Sequence, residues 1–85
     1  MGLHFEFNDG WDPQHRKNIE DAVRKCVREP RNNDKWFVSI TAGFSRQFCE
    51  VQVMTPNQTR SRFFFEDPAS LPKAIADWIS MYPLH

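Results

Sequence analysis

Two apolar periods alternate along the chain. Leu3, Phe5 and Phe7 alternate with His4 and Glu6, the period of two that buries one face of a strand and wets the other. Asn8-Asp9-Gly10 breaks this run. Asp12 before Pro13 then signals a helix start, because the carboxylate accepts first-turn amides and proline has no amide to leave unpaired. Ile19, Ala22, Val23, Cys26 and Val27 follow as one helical stripe, ended by Pro30 and Asn32-Asn33-Asp34. The period returns to two over residues 35–42, 46–54 and 60–66. The expected inward sets are Trp36, Val38 and Ile40, then Cys49, Val51 and Val53, then Phe63 and Phe65. Gly43-Phe44-Ser45 and residues 55–59 connect them as hairpin turns. Overlapping start signals at Asp67-Pro68 and Ser70-Leu71-Pro72 predict a short turn feeding a helix. Its buried stripe is Leu71, Ile75, Trp78, Ile79 and Tyr82, and Pro83 closes it.

The order is strand, helix, three strands, helix over a single α+β domain of residues 1–85. The expected fold is a two-layer sandwich: a mostly antiparallel four-stranded sheet with both helices packed on one face. Because a helix carries the chain back, the first strand should run parallel to the second if both share a sheet.

Cross-strand neighbours point the same way, so the buried sets imply registers. Pairing Val38 with Cys49 and Trp36 with Val51 sets Phe37 opposite Glu50 and Ser39 opposite Phe48. Pairing Val51 with Phe63 and Cys49 with Phe65 sets Glu50 opposite Phe64. The outer face then carries a row of Phe37, Glu50 and Phe64 with Phe48 beside it, ringed by Arg46, Gln52, Met54 and Arg62. An apolar row on a solvated face marks burial by another element, self-association, or a site for a protein partner with aromatic and arginine anchors. Phe37, Phe48, Phe64, Glu50, Arg46 and Arg62 are the candidate partner-binding residues.

Eleven Lys and Arg balance eleven Asp and Glu, which disfavours a dedicated nucleic-acid or anionic-membrane protein, since phosphate neutralisation supplies most of that binding energy. Single-stranded nucleic acid stacking on Phe37, Phe48 and Phe64, with Arg46 and Arg62 on phosphates, is the alternative reading. Cations concentrate on the first helix and its exit, where Arg24, Arg28 and Arg31 form a secondary basic stripe; their nearness to the helix end also complements its dipole.

Catalysis finds little support, and the chain reads as a non-enzyme without cofactor, a small enzyme of unknown reaction being the second alternative. The three His have no metal-ligand spacing with Cys, the three Gly make no phosphate loop, and Cys26 and Cys49 both fall on core faces. Two cysteines without C-x-x-C spacing suit a reduced cytoplasmic setting. The opening Met-Gly-Leu-His-Phe-Glu-Phe has neither a basic start nor an apolar core, no run is long enough to span a membrane, and Glu6 stands where a myristoylation signal needs Ser or Thr.

The helix, three-strand meander and helix resemble double-stranded RNA-binding domains in element order. That family's lysine-rich start of the last helix is here Pro68-Ala69-Ser70-Leu71-Pro72-Lys73, with one lysine, and the strand at Leu3 is extra. No site residue is carried across. The expectation is a small cytoplasmic protein-interaction or regulatory module of bacterial scale that binds a protein partner, or a second copy as a homodimer, through its sheet.

Overall fold

A computed structural model describes residues 2–8, 10–28, 30, 34–42 and 48–82. The elements are β1 (Leu3–Phe7), α1 (Pro13–Cys26), β2 (Trp36–Ala42), β3 (Cys49–Met54), β4 (Thr59–Phe64) and α2 (Leu71–Met81). The strands form one sheet in the order β1-β2-β3-β4, with β1 parallel to β2 and the other pairs antiparallel. The sheet is therefore mixed, and the α+β sandwich read from the sequence is the fold.

Local chemistry starts and stops the elements. Asp12 caps α1 by accepting the Gln14 amide at 2.8 Å, with Pro13 at the first helical position. Gly10 supplies the positive φ of 93° that the turn before it requires. The two start signals before α2 divide the work. The carboxylate and carbonyl of Asp67 accept the Ser70 amide, and the carbonyl also accepts that of Leu71, which makes the turn; the helix then begins at Leu71. Asn8 extends the β1–β2 pairing with its side chain. Its Oδ1 accepts from the Ala42 amide at 3.1 Å and from the Trp11 indole at 2.7 Å, while the Trp11 ring meets Phe7 edge-on at 5.6 Å.

Both helices bury apolar stripes against the same sheet face, but Tyr82, expected in the stripe of α2, caps the helix end and is exposed. Ile19 and Val23 of α1 and Leu71, Ile75, Trp78 and Ile79 of α2 close over Leu3, Val38, Ile40, Cys49, Val51, Val53 and Phe64. Burying this set is the main favourable term, each large side chain contributing about 1.5–3 kcal/mol. At the sheet margins, arginine guanidinium groups complete the layer: Arg16 and Arg24 lie over Phe7 and Phe5, and Arg60 lies over Trp78 and Tyr82.

Both hairpin registers differ from the expected ones. In the first, Val38 faces Val53, Ile40 faces Val51 and Phe37 faces Met54. The displacement is an even number of residues, so the faces are kept and only the neighbours change. The expected turn Gly43-Phe44-Ser45 lies outside the described residues. In the second, Cys49 faces Phe64, Glu50 faces Phe63 and Val51 faces Arg62. This displacement is odd, so every side chain of β4 changes face. Phe64 is therefore core, 2% exposed and edge-on to Trp78 at 5.6 Å. Phe63 and Phe65, expected inside, are exposed. The cause is the turn: Thr55 pairs its amide with the Gln58 carbonyl, and its hydroxyl accepts the Asn57 and Gln58 amides, so pairing resumes at Thr59 opposite Met54. Cys26, expected in the core, is exposed. It sits at the last residue of α1, where its thiol reaches the Val23 and Ala76 carbonyls at the mouth of the α1–α2 seam.

Candidate docking face

Alternation along the four strands places His4 and Glu6, then Phe37, Ser39 and Thr41, then Glu50, Gln52 and Met54, then Thr59, Ser61 and Phe63 on the face away from both helices. Among the described residues no element covers this face. A polar row of Ser39, Gln52 and Ser61 crosses its middle and divides its apolar residues in two. At one end His4 stacks on Phe37, centroids 5.3 Å apart, with Met54 opposite Phe37. At the other, Phe48 meets Phe63 edge-on at 5.7 Å and Phe65 at a tilt at 6.2 Å.

The second cluster is the more open. Phe63 is 52% and Phe65 is 73% exposed, whereas Phe48 and Phe37 are half-buried. Three rings held against one another at the sheet end form a pre-packed apolar surface, and Glu50, opposite Phe63, borders it. Of the expected residues, Phe48 and Glu50 lie here, Phe37 lies at the far end, and Phe64 is on the opposite face. Arg62 is also on the opposite face, its guanidinium 5.0 Å from the Phe64 ring. Arg46 lies outside the described residues. So the four strands present no Lys or Arg outward, because their only cations, Arg60 and Arg62, face the helix side. On α1 and beyond it, Arg24 lies over Phe5 and Arg28 is exposed; Arg31 is outside the described residues.

Phe63 and Phe65 escaped the sequence reading because residues 60–65 run Arg-Ser-Arg-Phe-Phe-Phe, in which neither alternate set is wholly apolar. The signal that could have found them is the turn residue Thr55, which shortens the connection by one position.

A cavity of about 340 Å³ opens where both helices begin, lined by Asp12, His15, Phe48, Cys49, Glu66 and Leu71 among others. Its chemistry is muted. Burial, and secondarily the Glu66 carboxylate, push the Cys49 thiol from its ordinary 9.0 to about 11, so at neutral pH it is a protonated, poorly nucleophilic group. The Asp12 carboxylate serves as the helix cap. Among the described residues no group of three His, Cys, Asp or Glu is placed to hold a metal ion, and no helix is long and apolar enough to cross a membrane.

No protein-family profile matches this sequence, and no curated protein matches it.

Proposed function

We propose that this chain is a protein-interaction module that binds a partner of different sequence through the β3–β4 end of its uncovered sheet face. The observation that carries this reading is the cluster of Phe48, Phe63 and Phe65, open to solvent although the same strands bury a full core on their other side. Exposed aromatic groups held rigid before contact lose little rotamer freedom on binding, and they dominate interface energetics when a partner excludes water from them. Single-stranded nucleic acid is the weaker occupant, since the outward strand residues include no cation to meet phosphates and the rings lean edge-on to one another. The unpaired Cys26 and Cys49 suit action in a reducing compartment.

Photocrosslinking in cells tests the reading. Phe65, the most open of the three rings, is replaced by benzoylphenylalanine, with exposed Lys73 on α2 as the control site. The expected result is a covalent adduct with a different protein at position 65 and none at 73, abolished by Phe63→Ser. Adducts with nucleic acid, with a second copy, or equally at both positions would overturn it.

A further inference from the structure

We infer that the partner adds a strand to β4, using an extended segment in which acidic residues alternate with apolar ones. This rests on the docking reading above and specifies its chemistry. β4 is an edge of the sheet, so the backbone groups on its far side have no neighbouring strand among the described residues. Its side chains sort into two chemically distinct rows. Arg60 and Arg62 point to the helix side together with buried Phe64, while Thr59, Ser61 and Phe63 point outward, with Phe65 beyond the strand end in contact with the same ring cluster.

Among the described residues the cationic row has no counter-charge. The Arg60 guanidinium lies 5.4 Å from the Trp78 ring centroid and 5.6 Å from that of Tyr82, and it donates to the Tyr82 carbonyl, while its Nε has no acceptor among the described residues. Arg62 is exposed over Phe64. No described carboxylate pairs with either. An added strand places its alternate side chains directly opposite these positions, so acidic residues on its helix-side row would meet both arginines and apolar residues on its outward row would extend the aromatic cluster.

The same row argues against a second copy. Two β4 strands paired antiparallel about a two-fold axis centred on Arg60, Ser61 or Arg62 set arginine opposite arginine, which is destabilising. The other edge, β1, lacks this combination: its outward residues are His4 and Glu6, and Arg24 and Arg16 already cover its inward rings Phe5 and Phe7.

The test uses the full chain and three octapeptides: alternating (Glu-Val)4, block Glu4Val4 of identical composition, and alternating (Lys-Val)4. Affinity is read by fluorescence anisotropy, and strand formation by amide hydrogen exchange along β4. The expected result is that (Glu-Val)4 binds at least about tenfold tighter than either control and protects the β4 amides that do not bond to β3. Arg62→Glu, at an exposed position, should reverse the preference toward (Lys-Val)4, while Arg62→Gln should weaken (Glu-Val)4 without favouring (Lys-Val)4. Equal binding of the block peptide, insensitivity to charge sign, failure of (Glu-Val)4 to bind, or binding without β4 protection would overturn strand addition. Each of these results leaves the docking reading standing if benzoylphenylalanine at position 65 still captures a protein; loss of that capture removes both.

Discussion

Replacing Phe64 by Ala, and separately Phe63 by Ala, tests the register on which the docking face depends. Phe64 is 2% exposed, stacked edge-on to Trp78 and capped by the Arg62 guanidinium. Truncating such a ring removes its transfer energy and leaves a cavity between β4 and α2, a cost of about 3–5 kcal/mol. Phe63, at 52% exposure, has only half its surface to lose, and the same truncation should cost about 1 kcal/mol. For a domain of this size the whole stability is roughly 4–13 kcal/mol, so Phe64→Ala removes a large share of it and should lower Tm by roughly 15 to 30 °C. Urea titration followed by tryptophan fluorescence gives both values, and Trp78 reports directly on the disturbed contact. Adjacent phenylalanines should therefore differ by at least about 2 kcal/mol. Equal costs, or a greater cost at Phe63, would refute the β3–β4 register and place Phe64 on the outer face after all.

Asp12→Ala removes the carboxylate that accepts the Gln14 amide and should destabilise the fold by about 1 kcal/mol, with Asp12→Asn or Asp12→Ser nearly neutral in the same titration. Iodoacetamide at pH 8 should alkylate exposed Cys26 in the native protein and spare buried Cys49, both reacting once guanidinium unfolds the chain; native labelling at Cys49 would contradict its burial. The thiol of Cys49 is held at about 11 against an ordinary 9.0, so the folded state favours its protonated form. That contribution is complete below pH 9 and is lost as pH rises toward 11. Cys49→Ala should accordingly flatten the decline in denaturation midpoint between pH 8 and 10.5, and an unchanged slope would assign the decline to other groups.

Element order and most boundaries were legible in the sequence because each element carries its own punctuation. Asp12-Pro13 opens α1, Thr55 with Pro56 breaks the meander, and Asp67 and Ser70 mark the turn and start of α2. The parallel direction of β1 relative to β2 followed from the intervening helix, whereas the edge it joins did not, since its alternation suits either side of the meander. Faces within β1, β2 and β3 were also readable, since their apolar and polar residues alternate. What the pattern could not supply was parity in β4. Three consecutive phenylalanines offer no alternation, and arginines at the helix-side positions look like solvent residues until their guanidinium groups are seen over the Trp78 and Phe64 rings. The candidate site inherited that ambiguity. Phe48 and Glu50 were placed from β3, which alternates, whereas Phe64 and Arg62 were misplaced by one turn position. Phe37 was joined to the wrong neighbours because the length of the β2–β3 connection leaves no apolar trace.

The arginines of β4 also act on the chain before it has folded. A run of phenylalanines with strand propensity is the kind of segment that associates between unfolded molecules, and a chain with zero net charge has no long-range repulsion to slow that encounter. Arg60 and Arg62 on one side of Phe63-Phe64-Phe65, and Glu66 and Asp67 on the other, confine the apolar stretch to three residues, too short for a stable intermolecular zipper. During synthesis these flanking charges serve as gatekeepers, protecting a segment that the finished sheet later divides between its core and its open face.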